Sequence, residues 1–582
     1  MNAMKKLICL LLMLCAGTAA FAWGGREHRL IAYIAEAHLT LRTRQVLDRY
    51  LDQSIVEYST WMDRYRTAPG YEITTYWHMV TIDKDGSVPP EPLRPNGDGD
   101  AVRQLTRAIE RLRNYRELSD STVNVNLKYV IHLVGEMHCP GHIYFADLPG
   151  GMDAPRHYDF FLLKYKGKEV TYHWVWDGSV SRQYPDWTEE DFRRLCREAK
   201  QRGIRVILDG VFNHTGSQSR YFNADGFYPG VGAAQSTDSP YFNWFSFHPW
   251  PTDYDAWWGI MTLPAVQENE SDYRDFIIRG QDSVVRHWLR AGASGWRLDV
   301  ADELPDDFIA EIRTAMEETA PDSFLLGEVW EDATTKVAYS QRRRYLLGHE
   351  LHGVMNYPFR TALIAYLRGG DADDFRETLE ALRENYPPEA FLSLMNFLGT
   401  HDTPRILTVL GADNVPDSKA DRAAYRLSPA QRQIGLERLR LAALILFTFP
   451  GAPTVYYGDE AAMEGWEDPF NRAGYPWAQE DTDLKAHFAE LARFRRSFPA
   501  LQAGVLHWIW TSGPLLIFAR ELDGQLLTTV VNAADVSQAL SLPWSAPPAR
   551  DLLTGQRLIP TDNAIPLTLP PRSGLLLQTD LP

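Results

Sequence analysis

The strongest constraint on the fold is a change of pattern near Trp187. From there to about residue 500, short apolar stretches alternate with stretches of helical periodicity. Such alternation predicts a parallel β/α barrel. The strand candidates are Ile204–Val211, Gly295–Val300, Ser323–Val329, His352–Tyr357, Phe391–Leu398 and Pro453–Tyr457. The helix candidates include Thr188–Arg202, Asp272–Ala291, Asp306–Glu318, Asp373–Asn385 and Ser428–Leu446.

Acidic side chains stand at or just beyond the ends of several strand candidates. They are Asp209, Asp299, Glu328 and Asp402. Arg297 precedes Asp299 by two residues and therefore points to the same side of its strand. Since catalytic groups of β/α barrels sit at the carboxyl ends of the strands, we expect these side chains to gather there. A lone strand-end aspartate can equally be a loop cap, but a set of carboxylates beside an arginine and two histidines favours glycoside hydrolysis.

These stretches resemble the conserved regions of glycoside hydrolase family 13, the α-amylase family. The matching strings are Asp209-Gly-Val-Phe-Asn213-His214, Gly295-Trp-Arg297-Leu-Asp299-Val-Ala-Asp302, Gly327-Glu328-Val-Trp330 and Asn396-Phe-Leu-Gly-Thr-His401-Asp402. The resemblance implies Asp299 as nucleophile, Glu328 as general acid and base, and Asp402 as the carboxylate that binds sugar hydroxyls. It also implies that Arg297 orients Asp299, that His214, His401 and Asp209 belong to the substrate-binding site, and that the substrate is an α-glucan or maltooligosaccharide.

The barrel is expected to lack its first two strands. The family places the first conserved region on strand three, and no residues remain before it for strands one and two. We therefore predict a (β/α)8-type barrel truncated at its amino end over residues 179–500, with a small inserted domain at 217–270. Residues 501–582 alternate apolar and polar between glycine turns and predict a C-terminal β-sandwich. A calcium ion near Asn213 is left open.

The segment before the barrel, residues 23–178, has the periodicity of an all-α domain and carries scattered histidines and acids. His132 and Glu136 stand four apart and share one helix face. The further candidates are His28, Asp63, His78, His142, His173 and Asp177. Imidazole and carboxylate are the ligands that zinc prefers in hydrolytic sites, although any one of these histidines alone is more often structural.

This set resembles the zinc-dependent single-strand-specific nucleases of the S1/P1 type. The matching strings are Trp61-Met-Asp63, His132-Leu-Val-Gly-Glu136-Met-His138-Cys-Pro-Gly-His142 and His173-Trp-Val-Trp176-Asp177. The resemblance implies up to three zinc ions. One is held by Asp63, His78 and His132, a second by His142, His173 and Asp177, and a third by Trp23 with His28. Glu136 stands where the family has a metal-bridging aspartate. Single-stranded nucleic acid is the substrate this implies.

The first 22 residues predict a secretory signal. Lys5 and Lys6 precede an apolar run to Cys15, and Ala20-Phe21-Ala22 is a cleavage site that would expose Trp23. We expect a secreted or periplasmic protein with no membrane span. The net charge of −17 argues against nucleic-acid binding through a broad positively charged surface. Cys139 and Cys196, the cysteines outside the signal, do not make a disulfide framework.

Three interpretations follow for the chain as a whole. The first is a retaining glycoside hydrolase of α-glucosidic bonds fused to a nuclease-like domain. The second is a zinc-dependent endonuclease with the glucan domain as passenger. The third is an inactive or artefactual fusion, because the junction near residue 178 falls inside both domains, whereas natural fusions join whole domains across exposed linkers.

Overall fold

The computed structural model describes residues 25–37, 39–66, 68, 70–82, 100–139, 142–145, 162–165, 168–171, 188–224, 226, 228, 230–338 and 340–579. The predicted signal segment and three predicted ligands, Trp23, His173 and Asp177, lie outside these ranges. The chain divides into two compact units, residues 1–188 and 189–582. In the part of the chain that the structure describes, no helix is long and apolar enough to cross a membrane. Neither of the two described cysteines, Cys139 and Cys196, forms a disulfide bond.

The first unit is built on helices. They are α1 (Gly25–Ala37), α2 (Leu41–Tyr50), α3 (Ile55–Tyr58), α4 (Trp61–Tyr65), α5 (Ala101–Arg113) and α6 (Asp120–Glu136). The Ser119 hydroxyl caps α6 by accepting from the backbone N–H of Thr122, which satisfies one of the free N–H groups of the first turn. Met62 and Leu133 are fully buried between the helices.

The prediction that this unit is entirely helical is wrong. Its described residues include a parallel pair, β1 (Val80–Ile82) with β2 (Ile143–Phe145), and a hairpin of β3 (Leu162–Tyr165) and β4 (Lys168–Thr171). These strands have three or four residues each, too few for alternation of apolar and polar side chains to distinguish them from loops.

Six parallel barrel strands lie among the described residues of the second unit. They are β5 (Leu208–Gly210), β6 (Gly295–Leu298), β7 (Phe324–Gly327), β10 (Gly353–Val354), β11 (Met395–Phe397) and β12 (Ala452–Thr454), with the short hairpin β8 (Val337–Ala338) and β9 (Gln341–Arg342) after β7. Strands β5, β6, β7 and β10 form one sheet, β11 and β12 form another, and a parallel bridge between Met355 and Met395 joins the two. All six lie inside the predicted stretches or within one residue of them.

The barrel is open between its first and last described strands. Among the residues that the structure describes, β5 and β12 each pair on one side only. The trough between them is lined by inward-facing apolar side chains such as Leu326, Met355 and Met395. An eight-stranded barrel without its first two strands would have six strands and two unpaired edges. The described strands agree with this expectation.

Helices cover the outside of the barrel. They are α7 (Glu189–Gln201), α8 (Ser271–Arg274), α9 (Val284–Ala291), α10 (Asp306–Thr319), α11 (Tyr357–Leu367), α12 (Ala372–Asn385), α13 (Pro388–Leu392), α14 (Ile406–Gly411), α15 (Lys419–Ala424), α16 (Pro429–Thr448), α17 (Thr482–Ser497) and α18 (Pro499–Ala503). Ser428 and Gln431 form a reciprocal capping box at the start of α16, with Pro429 in its first turn. Phe308 and Phe359 are fully buried in the shared core, and such burial contributes roughly 1.5–3 kcal/mol for each ring.

Two element predictions need correction. The helix expected over Asp272–Ala291 is interrupted, because a π-turn at Asp275–Arg279 and Gly280 end α8 before α9 begins. The strand expected from Phe391 starts only at Met395, because Pro387 and Pro388 start the short helix α13 through Leu392.

The C-terminal residues form two sheets. Their strands are β13 (Val505–Ser512), β14 (Leu515–Leu522), β15 (Gln525–Asn532), β16 (Gln538–Pro543), β17 (Ala549–Asp551), β18 (Arg557–Leu558), β19 (Ala564–Leu569) and β20 (Ser573–Thr579). The larger sheet has the order β13-β14-β15-β20-β17-β18, and β16 pairs with β19. Alternate residues of β14 point in opposite directions, Ile517 to the smaller sheet and Phe518 to the core of the barrel helices. The predicted C-terminal β-sheet domain is thereby confirmed.

Candidate functional site

The predicted carboxylates lie at the carboxyl ends of the barrel strands. Asp299 directly follows β6, and Glu328 directly follows β7. Asp209 is the middle residue of β5, and Asp402 lies in the turn after β11. Because parallel strands end at the same edge, side chains distant in the sequence meet here.

Arg297 is the centre of this arrangement. Its Nη1 lies 2.6 Å from Asp299 Oδ1 and 2.8 Å from Asp209 Oδ1, and its Nη2 lies 2.8 Å from Glu328 Oε2. One guanidinium therefore bridges the two predicted catalytic carboxylates. The three negative charges raise the pKa of Arg297 further above its ordinary value although its burial opposes them, so the side chain stays charged.

Glu328 is held on both carboxylate oxygens. The backbone N–H of Val300 donates to Oε2 at 3.0 Å. The indole N–H of Trp330 and the hydroxyl of Tyr357 donate to Oε1 at 3.1 and 3.2 Å. Only 4% of the Glu328 side chain is exposed. Burial raises the pKa of Glu328, although Arg297 acts in the opposite direction. A buried glutamate with a raised pKa suits a general acid.

The sequence motifs do not predict the roles of two of these partners, the Tyr357 hydroxyl and the Val300 backbone N–H. Tyr357 begins α11, 29 residues after Glu328, and belongs to none of the matching strings. Val300 lies within a string but has φ 45° and ψ 51°, a region that a β-branched residue rarely occupies. This conformation aims its N–H at Glu328.

Asp402 and His401 form the second part of the site. His401 Nε2 lies 3.0 Å from Asp402 Oδ2, and Arg472 Nη2 donates to Oδ1 at 3.2 Å. The bond to Asp402 raises the pKa of His401. Burial alone would raise the pKa of Asp402, but the bond from His401 and the nearby positive charges lower it. Asp402 is therefore an anion near the two predicted catalytic carboxylates. Arg472 has no counterpart in the predicted set.

His214 lies on the side of the site that contacts the inserted segment, residues 217–270. Its ring stacks on Trp257 with centroids 5.0 Å apart, and burial lowers its pKa. The Asn213 Oδ1 accepts a hydrogen bond from His214 Nδ1, and the Asn213 Nδ2 donates to Glu303. Both polar ends of the Asn213 side chain are thus in contact with protein groups, and the calcium ion near it stays a prediction.

A second cluster lies in the first unit around Glu136. His28, Asp63, His132 and Glu136 offer ligand atoms that all lie within 4.8 Å of one another. Glu136 Oε1 lies 2.7 Å from His78 Nδ1, 2.9 Å from His132 Nε2 and 3.5 Å from His28 Nε2. The other oxygen of Glu136 contacts His142 Nδ1. The structure thus gathers ligands from all three predicted zinc groups around one carboxylate.

These residues fit a metal centre. His28 Nδ1 and Nε2, His78 Nε2 and Asp63 Oδ1 are buried and have no hydrogen-bond partner within the described part of the chain. Buried polar atoms left unpaired are costly, whereas a metal ion satisfies them. The carbonyl oxygen of Ser59 lies 2.7 Å from His132 Nδ1 and leaves Nε2 to face the cluster. Burial lowers the pKa of His132, which favours the neutral imidazole that binds metals.

Known families match the same two parts of the chain. The α-amylase catalytic domain matches residues 178–497, and the S1/P1 nuclease family matches residues 23–210. The chain therefore belongs to the α-amylase family, and the resemblance of its first part to the S1/P1 nucleases is confirmed. The S1/P1 nucleases are a zinc-dependent family, in agreement with the donor set around Glu136.

Individual relatives resemble about two thirds to three quarters of the chain. An amylopullulanase of Thermoanaerobacter thermohydrosulfuricus is 33% identical over 73% of this chain and 31% of its own length. Neopullulanase 2 of Thermoactinomyces vulgaris is 31% identical over 66% of this chain and 62% of its own. A solved debranching enzyme of Nostoc punctiforme is 29% identical with a TM-score of 0.55, covering 67% of this chain and 79% of that one. The chain thus spans less than two thirds of each of the two curated relatives.

Proposed function

We propose that the second unit hydrolyses α-glucosidic bonds of maltooligosaccharides and starch-type glucans with retention of configuration. The observation that carries the proposal is the single Arg297 guanidinium that bridges Asp299 and buried Glu328 at adjacent strand ends. Retaining glycosidases need two such carboxylates, about 5–5.5 Å apart, one as nucleophile and one as acid. The relatives with amylopullulanase and neopullulanase names support the substrate class.

The proposed reaction has two steps. The Asp299 carboxylate attacks C1 of the sugar and forms an ester bond, while the C1–O bond to the leaving sugar breaks and Glu328 gives its proton to that oxygen. A water molecule then gives a proton to Glu328, and its oxygen attacks C1 and releases Asp299. Asp402 lies where its negative charge can stabilise the positive charge that develops on the sugar ring.

The experiment measures reducing-sugar release from maltotriose and pullulan by the full chain. Glu328→Gln should lower kcat by about 10²–10⁴-fold on natural substrates and much less on an aryl glucoside whose leaving group needs no proton. Asp299→Asn should abolish hydrolysis of both the natural substrates and the aryl glucoside. Glu331→Gln is the matched control, because Glu331 is exposed and pairs with Lys336. NMR of the first product should show the α-anomer. A β-anomer, or full activity of Asp299→Asn, contradicts the proposal.

We also propose a zinc-dependent phosphodiesterase activity of the first unit on single-stranded nucleic acid. The cluster of metal-binding side chains around Glu136 favours it, because grouped metals can activate water and stabilise the leaving oxygen. His132→Ala should abolish EDTA-sensitive loss of single-stranded DNA. His138→Ala should not, since His138 is exposed and bonds to Val134. If both hydrolase assays stay blank in a chain that unfolds without a cooperative transition, the inactive-fusion interpretation is supported instead.

We propose, finally, that the chain is exported, on the basic start and apolar run of its first 22 residues. Expression in a bacterial host and amino-terminal sequencing of the periplasmic fraction test this. The expected first residue is Trp23. Retention of Met1 in a cytoplasmic product contradicts it.

A further inference from the structure

His28 packs against helix α6 at Gly135, which has no side chain, and from there it contacts the metal-binding cluster. The side chain is buried, and its ring stacks on His132 with centroids 4.5 Å apart and 12° between the planes. The other face of the His28 ring lies next to the backbone of Gly135. A methyl group built on Gly135 would lie 2.5 Å from His28 Nδ1 and 3.0 Å from Cε1. The absence of a side chain at residue 135 therefore makes the room for the His28 ring.

We propose that Gly135 is a positioning residue that admits the His28 imidazole to the metal cluster and so sets the metal affinity of the first unit. The inference concerns metal binding and holds whether or not either hydrolytic activity is found.

The distances decide the size of the effect. Relief of a 2.5 Å contact to ordinary van der Waals separation requires the ring to move by roughly 1 Å. Metal–ligand distances tolerate only about 0.2 Å. His132 blocks movement to one side of the ring. A methyl group at residue 135 is therefore expected to remove His28 from the coordination shell.

The helix itself should accept the methyl group. Gly135 lies in the last turn of α6 and has no positive φ. Alanine is a better helix former than glycine in a helix interior. The metal-free Gly135→Ala chain is thus expected to keep its helix content, and a loss of metal would not be explained by a weaker helix.

The test compares zinc binding by the full-length wild-type chain, Gly135→Ala, His28→Ala and the double variant. Zinc content after dialysis and competition with a chelator give stoichiometry and affinity, and the visible spectrum of the cobalt-loaded chain reports the ligand set. We expect Gly135→Ala to bind zinc at least about 10-fold more weakly, as for other changes that displace a ligand. The double variant should bind no more weakly than His28→Ala. Gly474→Ala is the matched control, since a methyl group there meets nothing within 4 Å.

Wild-type affinity and spectrum in Gly135→Ala overturn the proposal, and so does an additive loss in the double variant. If Gly135→Ala alone fails to fold, the double variant decides the question. Removal of the imidazole makes room for the methyl group, so recovery of the fold supports the clash with His28. A double variant that is equally unfolded contradicts it.

Discussion

The rings of Trp330 and Tyr357 are stacked, with centroids 4.0 Å apart and 15° between their planes. Both donate a hydrogen bond to the same oxygen of Glu328. The stack therefore fixes the two donors relative to each other and holds Glu328, the proposed general acid, in one orientation. The aromatic pair comes from the end of β7 and the start of α11.

Loss of the Tyr357 hydroxyl should shift the pH profile of the proposed glycosidase. A donor to a carboxylate favours the ionised form, so Tyr357→Phe raises the pKa of Glu328 further above its already raised value. The acid must be protonated to act. The alkaline limb of kcat is therefore expected to move upward by about one pH unit. Tyr366→Phe, on the same helix but bonded to Pro514, should leave the limb in place. A downward shift contradicts the assignment.

Glu350 should make the second unit less stable as the pH rises. Burial, reinforced by Asp306, raises the pKa of Glu350 to about 7 in the folded chain. The unfolded chain releases this proton at lower pH, so the free energy of unfolding falls from the ordinary glutamate pKa up to about 7 and then levels off. The loss is at most about 3 kcal/mol. Urea unfolding at pH 5 and 8 should show a smaller difference for Glu350→Gln, but not for exposed Glu317→Gln. Equal differences in all three chains contradict the prediction.

Glu136 should be needed for metal binding by the first unit. Its carboxylate contacts four histidines, so Glu136→Gln removes the negative charge that a cation between them requires. Zinc affinity is expected to fall by at least about 100-fold, measured by chelator competition. His138→Ala, two residues further along the chain, should retain wild-type affinity. Full zinc affinity in Glu136→Gln would show that the cluster binds no metal through this group.

The open barrel edge should promote self-association. Ile207 and Val455 flank β5 and β12, and 42% and 38% of these side chains are exposed. Unpaired strand edges with apolar residues template aggregation, and lysine at an edge opposes it. Ile207→Lys with Val455→Lys should raise the concentration at which light scattering appears. Val536→Lys, at a more exposed apolar site after β15, should not. If all variants scatter alike, the edges are not the cause.

The sequence alone predicted the two parts of the chain, the six described barrel strands and the principal carboxylates. These features are local: each strand candidate and each acid stands in a contiguous string, so spacing along the chain is enough to find them. The same holds for His132 and Glu136, because one helix face joins residues four apart. The short strands of the first unit were not predicted, because three or four residues are too few to show an alternation of apolar and polar side chains.

Only the tertiary structure decided which side chains complete each site. Tyr357 and Arg472 reach Glu328 and Asp402 because separate strand and helix ends converge at one edge of the barrel. His28 joins the ligands around Glu136 because α1 packs on α6 where Gly135 leaves room. These contacts depend on how separate helices and strands pack together. The spacing of residues along the sequence does not give the positions of those elements in space.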